Sequence, residues 1–256
     1  MRSYLAFCKK ELLWSVRSGK LLLLAVAFAM LGVMNPVIAK LTPYLLELLS
    51  AELAENGVTI TEVTVDALTS WTQFFKNIPI GLIAFVLLFG ASFTREYESE
   101  TLTLILTKGL KRYKIVLAKT GFLLSLWTVA YWFCFAITYL YNAYFWDNAI
   151  AKGLFPAVIF YYLFGLLVLF ILVFFSVLLR GYGSVLLSLC ASLLVLYLLS
   201  LIPRLSRLSP FALTDSAMLL VGGESASAFV WAVVISLVLS ALLLLCSILF
   251  FNKKRL

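Results

Sequence analysis

Long apolar runs dominate this sequence and decide the kind of solvent in which it can fold. A helix needs about 20 residues, at about 1.5 Å each, to cross the roughly 30 Å of hydrocarbon in a bilayer. Because lipid cannot hydrogen-bond to a backbone, such runs must be helical, and an open sheet is excluded. The sequence therefore predicts an all-α polytopic membrane protein, a single domain over residues 1–256. Its six spans lie at approximately residues 21–39, 78–93, 115–140, 154–179, 185–202 and 228–251.

Composition agrees with a membrane protein and argues against a nucleic-acid partner. The chain is 64% hydrophobic and only 12% charged, whereas ordinary soluble domains are about 45–50% apolar. A net charge of +8 is typical of a nucleic-acid-binding protein when the protein is soluble, but in a membrane protein basic residues first report topology. We therefore expect the bilayer, and no nucleic acid, as the partner of this basic charge.

The distribution of basic residues predicts the orientation of the chain. With the N-terminus in the cytoplasm, fifteen of the 20 Lys and Arg residues lie on the cytoplasmic side and five lie outside. This asymmetry follows the positive-inside rule and places both termini in the cytoplasm. We also expect the six spans to be free of charged residues, which disfavours an ion-coupled carrier because such proteins need titratable groups within their spans.

Residue types that support catalysis or metal binding are scarce. The chain has no histidine, which excludes histidine-based triads and metal centres. Cys8, Cys134, Cys190 and Cys246 stand singly, without the paired spacing of a disulfide framework or a zinc site. A GxxxxGK[ST] phosphate-binding loop is also absent from the sequence. We therefore expect no enzymatic activity and no cofactor or metal site in this chain.

Two segments on the predicted outer side have distinctive patterns. Pro36 near the end of span one should terminate or kink that helix before an outer loop at residues 40–77, because proline removes a backbone donor. Residues 203–227 contain an apolar stretch of about twelve residues, which is too short to cross a bilayer. This pattern favours an outer re-entrant hairpin before span six, with a surface loop as the alternative.

The cytoplasmic segment at residues 94–114, which we call the coupling segment, predicts a short helix. It begins with three glutamates and has Lys108 before Gly109, an arrangement that complements the helix dipole and supplies a C-cap. Leu102, Ile105 and Leu106 share one face at positions i, i+3 and i+4, so this face can enter a partner's groove or the membrane interface. A solvated loop that only enforces topology is the alternative.

The N-terminal residues 2–18 predict an interfacial helix that leads into span one. Leu5, Cys8, Leu12 and Val16 fall on one helical stripe among polar and basic residues. An amphipathic helix of this kind lies in the plane of the membrane surface.

Several motifs, in their order relative to six spans, resemble the permeases of type-2 ATP-binding-cassette transporters from bacteria. Those permeases have an N-terminal interfacial helix and a coupling helix after span two. The residues that carry the resemblance are Phe7-Cys8-Lys9-Lys10-Glu11, Arg17-Ser18, Asn35-Pro36, Ala39-Lys40, Pro43, Ser70-Trp71-Thr72-Gln73-Phe74-Phe75-Lys76-Asn77 and Leu106-Thr107-Lys108-Gly109-Leu110. One departure is Glu100-Thr101, where the family commonly has Gly-Thr, and it puts the start or the contacts of the coupling helix in doubt.

The resemblance implies a transporter subunit in the bacterial cytoplasmic membrane. Separate ATPase subunits would bind ATP and Mg²⁺, and a second permease copy or a related permease would complete the pore. Export of peptide antibiotics, drugs or lipidic molecules is the family's usual direction and cargo. The residues expected to dock against the ATPase are Glu96, Glu98, Glu100, Thr101, Leu102, Ile105 and Leu106. A non-transporting membrane scaffold and an ATP-independent carrier remain alternatives, and no substrate residue is assigned.

Aromatic residues crowd the outer half of span three, and they have two interpretations. An interfacial belt is the usual role of such residues in membrane proteins, and a substrate vestibule is the alternative. The residues are Tyr131, Trp132, Phe133, Tyr139, Tyr141, Tyr144, Phe145 and Trp146.

Overall fold

The structure is a computed structural model that describes residues 2–55, 65–98 and 111–254. Every regular element within these ranges is helical. The α-helices are α1 (Arg2–Arg17), α2 (Lys20–Glu55), α3 (Ala67–Phe89), α4 (Thr94–Glu98), α5 (Arg112–Phe145), α6 (Leu154–Leu178), α7 (Tyr182–Ser200) and α8 (Val230–Lys253). Shorter 3₁₀ helices are Gly90–Ser92, Asn148–Ile150, Pro210–Val221 and Ala226–Phe229.

Six of the helical stretches are long and apolar enough to cross a membrane, which confirms the all-α, six-helix prediction. They are Lys20–Tyr44, Ala67–Tyr97, Arg112–Phe145, Leu154–Leu178, Tyr182–Ser200 and Ala226–Lys253. At about 1.5 Å per residue, α5 is about 50 Å long and exceeds the roughly 30 Å hydrocarbon layer. The ends of α5 therefore extend into the headgroup regions of a bilayer.

The prediction that Pro36 ends the first spanning helix is wrong, because α2 continues through Pro36 and Pro43 to Glu55. Pro36 cannot donate to the carbonyl of Gly32, its usual helical acceptor. The hydroxyl of Thr138 on α5 donates to that carbonyl at 3.0 Å instead. Thr138 accepts a bond from Asn35 Nδ2 at 3.2 Å, and Asn35 Oδ1 accepts one from Asn77 Nδ2 at 2.9 Å. Neighbouring helices thus supply the polar group that the proline lacks.

Packed aromatic rings from α2, α3, α5 and α6 lie together in the core, and α5 and α6 approach each other closely within it. A Cβ atom added to Gly165 on α6 would lie 2.3 Å from the indole ring of Trp127, so only glycine fits this contact. Tyr131 is fully buried and its hydroxyl donates to the carbonyl of Val158 at 2.7 Å. Tyr144, by contrast, is 83% exposed. The aromatic residues of span three therefore divide between core packing and an exposed end.

The segment before α8 packs against the helix bundle. Its 3₁₀ helix, Pro210–Val221, is capped by the hydroxyl of Ser209 and ends at Gly222, whose φ of 75° is left-handed and suits glycine. The hydroxyl of Ser216 donates to the carbonyl of Ala157 on α6 at 3.0 Å. A run of this type longer than three or four residues is uncommon, and these tertiary contacts stabilise it.

Burial differs greatly among the spanning helices. The most apolar window of α6 is 56% buried inside the protein, whereas that of α7 is only 11% buried. By this measure α7 is the least buried of the six spans, and its apolar surface needs lipid or another protein as its neighbour.

Candidate functional site

A buried charge lies inside the third spanning helix. Lys119 on α5 is 1% exposed and falls within the predicted span at residues 115–140. The expectation that the spans carry no charge is therefore wrong. Burying an ammonium group is costly unless carboxylates and hydrogen-bond acceptors surround it.

Two carboxylates and one carbonyl surround the Lys119 ammonium. Its Nζ lies 3.1 Å from Glu11 Oε1, 3.3 Å from Glu96 Oε2 and 2.8 Å from the carbonyl oxygen of Ser92, to which it donates. Lys10 Nζ in turn lies 2.7 Å from Glu96 Oε1. We call Lys10, Glu11, Glu96 and Lys119 the ion-pair cluster. It joins three separate elements: α1, α4 and the start of α5.

The local structure of α1 explains how Glu11 reaches the cluster. Glu11 and Ser15 are one helical turn apart, and both are buried against the bundle. Leu12 and Val16, which the sequence places on the apolar stripe, are 46% and 57% exposed on the outer face of α1. Gly19, with a φ of 71°, provides the left-handed residue after the helix and lets the chain turn into α2.

Within the cluster, burial disfavours the charged form of the Glu11 carboxyl. Burial raises the pKa of the Glu11 carboxyl above its usual range, Lys119 opposes this shift, and the nearby Glu96 carboxylate adds to it. Two ammonium groups and two carboxylates balance when all four are charged. The cluster is therefore sensitive to the loss of any one member, because each buried charge depends on the others.

Basic side chains at the same end of the bundle donate hydrogen bonds to carbonyls at the C-terminal ends of α3, α6 and α8. Lys20 Nζ donates to the carbonyl of Leu88 at 2.5 Å, close to the end of α3. Lys254 Nζ donates to the carbonyl of Val177 at 2.6 Å, close to the end of α6. Arg112 donates to the carbonyl of Lys254, just after α8. Cations at these positions complement the negative ends of the helix dipoles.

At Lys254, burial disfavours the charged form of the ammonium group that makes this contact. Burial lowers the pKa of the Lys254 ammonium below its usual range, and the positive charge of Arg180 lowers it further. The ammonium also lies 4.3 Å from the ring centre of Tyr97, which follows Glu96 in α4. The end of α8 thus packs against α4, the first helix of the coupling segment.

The described residues include only two of the residues predicted to dock against an ATPase. Glu96 lies in the ion-pair cluster, and Glu98 is the last residue of α4. Outside the described residues lie Glu100, Thr101, Leu102, Ile105 and Leu106. Three cluster members, Lys10, Glu11 and Lys119, are absent from the predicted site. The signal available in the sequence was a single lysine within an otherwise apolar run, which in membrane proteins marks a paired and functional group.

The described residues give no sign of a metal or redox centre. No group of three or more His, Cys, Asp or Glu side chains able to hold a metal ion occurs in residues 2–55, 65–98 and 111–254. Cys134, Cys190 and Cys246 are free thiols. The chemistry that these side chains supply at the ion-pair cluster is electrostatic attachment of helices. Burial raises the pKa of the Glu11 carboxyl, whereas at Glu96 the effect of burial is outweighed by Lys119 and Lys10, which lower the pKa of that carboxyl.

Comparison with models of known protein families finds no match to this chain, and comparison with curated protein sequences finds none either.

Proposed function

We propose that this chain is the membrane-spanning permease subunit of an ATP-driven exporter, similar to the permeases of type-2 ATP-binding-cassette transporters. The observation that carries the proposal is the ion-pair cluster, which joins α1, α4 and α5. Residues 99–110 connect α4 to α5 in the sequence. A movement imposed on that segment reaches the start of α5 through Glu96 and Lys119, and reaches α1 through the pairing of Glu96 with Lys10.

In this proposal the driving energy comes from a separate ATPase subunit that binds ATP and Mg²⁺. The ATPase docks on Glu96, Glu98 and residues 100–106, for which the sequence pattern predicts leucine and isoleucine side chains on one helical face. Because interfaces and packed cores move between discrete arrangements, attachment of α5 and α1 to the docking segment converts a local displacement into a shift of whole helices.

The arrangement in the membrane follows from charge and exposure. Both termini and the ion-pair cluster lie on the cytoplasmic side of a bacterial cytoplasmic membrane, as the positive-inside asymmetry requires. The exposed Leu12 and Val16 of α1 contact the membrane interface. The 3₁₀ segment before α8 forms the outer re-entrant element, and the uncovered surface of α7 packs against a second permease copy or a related permease.

Affinity purification of the full chain from its native membrane in mild detergent tests the proposal. We expect an ATPase with a phosphate-binding loop to co-purify, and its hydrolysis to depend on the permease. Replacing Leu102 or Leu106 by Asp should uncouple ATP hydrolysis from transport without removing the chain from the membrane, since the change lies outside the spans. Leu208→Asp, an exposed loop leucine between α7 and α8, is the control.

Two results would count against the proposal. Purification without any ATPase would favour a non-transporting scaffold or an ATP-independent carrier. Equal transport by wild type and by the Leu102 and Leu106 variants would remove the coupling role of residues 99–110.

A further inference from the structure

A cavity beside the ion-pair cluster has a positively charged mouth. Its volume is about 260 Å³, and its lining is formed by Lys10, Glu11, Trp14, Ser92, Arg95, Glu96 and Lys119. The inner wall carries the balanced charges of the ion-pair cluster. Arg95 is exposed and belongs to none of the salt bridges found among the described residues.

Two cations, Arg95 and Lys20, lie near the indole ring of Trp14, which lines the cavity. The guanidinium carbon of Arg95 lies 4.4 Å from the centre of the Trp14 ring, and Lys20 Nζ lies 4.9 Å from it. Both contacts are favourable cation–π interactions, but the two positive charges repel each other. We call Trp14, Lys20 and Arg95 the tryptophan cradle. An anion bound between its two cations would offset their repulsion and gain charge-assisted hydrogen bonds.

The surroundings of the cradle are apolar and face away from the protein. Leu12 and Leu13 on α1 are 46% and 45% exposed, and Leu22 and Leu23 on α2 are 69% and 58% exposed. Lys20 begins the first spanning helix, at the level where Trp and Lys side chains meet lipid headgroups. An occupant must therefore offer an anionic group to the cradle and hydrocarbon to the adjacent leucines.

We propose that the tryptophan cradle binds the phosphate of an anionic phospholipid, with the acyl chains lying along the exposed leucines of α1 and α2. The site is distinct from ATPase docking, because lipid binding requires neither the partner subunit nor nucleotide. A bound lipid holds α1, the start of α2 and α4 together, next to the ion pairs that join α1 to α4.

Quenching of Trp14 fluorescence by phosphatidylglycerol with brominated acyl chains tests the proposal on the delipidated full chain in neutral detergent. The same chains on phosphatidylcholine are the comparison lipid, and Trp14→Phe isolates the signal of this tryptophan. A cation near a membrane surface contributes about fivefold to anionic-lipid affinity, so Arg95→Gln should weaken phosphatidylglycerol binding about fivefold and Arg95→Gln with Lys20→Gln about thirtyfold. Arg95→Lys should retain most of the affinity, and Arg204→Gln, an exposed cation in the loop after α7, should leave it unchanged.

Four results would overturn the proposal. Equal binding of the two lipids would show that the cradle does not select a negative charge. An equal loss in Arg95→Gln and Arg204→Gln would show a general charge effect. Displacement of the lipid by free glycerol phosphate would identify a soluble anion as the ligand. Unchanged lipid binding by Arg95→Gln, together with loss of a co-purifying ATPase, would identify the cradle as a protein-docking surface.

Discussion

The hydroxyl of Thr138 replaces the backbone N–H that Pro36 lacks, because it donates to the Gly32 carbonyl at 3.0 Å. The two residues lie on different spanning helices, α5 and α2. This bond makes a proline compatible with a continuous helix in a solvent that cannot satisfy a free carbonyl.

Thr138→Val should therefore destabilise the protein, since valine has the shape of threonine without the hydroxyl. Leaving the buried Gly32 carbonyl and the Asn35 amide without partners should cost about 1–3 kcal/mol. Thermal unfolding in detergent measures the change. Thr72→Val is the matched control, because the Thr72 hydroxyl bonds only to the Leu68 carbonyl of its own helix.

A second substitution separates this explanation from general packing damage. Pro36→Ala in the Thr138→Val background restores a backbone N–H that can bond to Gly32, so it should recover part of the lost stability. A double variant that is less stable than Thr138→Val alone would contradict the proposed role of the hydroxyl.

Lys119→Met should be more damaging than neutralisation of Lys119, Glu11 and Glu96 together. Removal of one partner leaves the Glu11 and Glu96 carboxylates buried without their shared cation, which should cost about 3–5 kcal/mol. Combining Lys119→Met with Glu11→Gln and Glu96→Gln removes those unpaired charges and should restore much of the stability. Detergent thermostability of the two variants, measured at neutral pH, checks the order. Equal stability of the single and triple variants would show that the charges are not coupled.

The raised pKa of Glu11 gives the cluster a defined pH dependence. In the unfolded chain the carboxyl titrates near its ordinary value of 4.5, whereas the folded protein holds its proton to higher pH. Because the folded state binds more protons in this window, the Glu11 contribution to stability is present below pH 4.5 and is lost as pH rises through the folded pKa. The groups that face Glu11 are Lys119, Glu96 and Lys10.

Glu11→Gln should therefore flatten the pH profile of unfolding above pH 4.5. Chemical denaturation in detergent at a series of pH values gives the slope for wild type and variant. A wild type whose stability relative to Glu11→Gln increases with pH in that window would reverse the sign and refute the assignment.

Gly165→Ala should weaken the α5–α6 contact, because a Cβ at this position overlaps the Trp127 ring. Overpacking of a tight core should cost about 1–3 kcal/mol. Gly183→Ala on α7 is the matched control, since a Cβ there meets nothing within 4 Å. Thermal unfolding should separate the two variants, and equal melting temperatures would show that Trp127 moves aside without penalty.

Hydropathy was sufficient to predict the number of long helices and the helical class, because membrane insertion depends on apolar length that is local in sequence. The continuation of α2 past Pro36 could not be predicted in the same way. Its cause is Thr138, 106 residues away from Gly32, and no local pattern records that partnership.

The candidate site was likewise predicted only in part, because some of its contacts join residues that are distant in the sequence. The family resemblance implied that Glu96 docks against an ATPase, which stays a prediction, and the structure places Glu96 in the ion-pair cluster. Lys119 was misjudged because its apolar neighbours predict a span, whereas its charge is stabilised by Glu11, 108 residues earlier in the chain. Pairing across helices depends on the three-dimensional arrangement, which periodicity does not contain.

The separation of Glu11 from Lys119 also has a consequence for biogenesis. A ribosome completes α1 long before it reaches residue 119, so α1 is made before the buried counter-ion that pairs with its glutamate. Until α5 is inserted, water is the most favourable environment for that carboxylate. We therefore expect α1 to be synthesised before α5 and to dock onto the bundle only after α5 has been inserted.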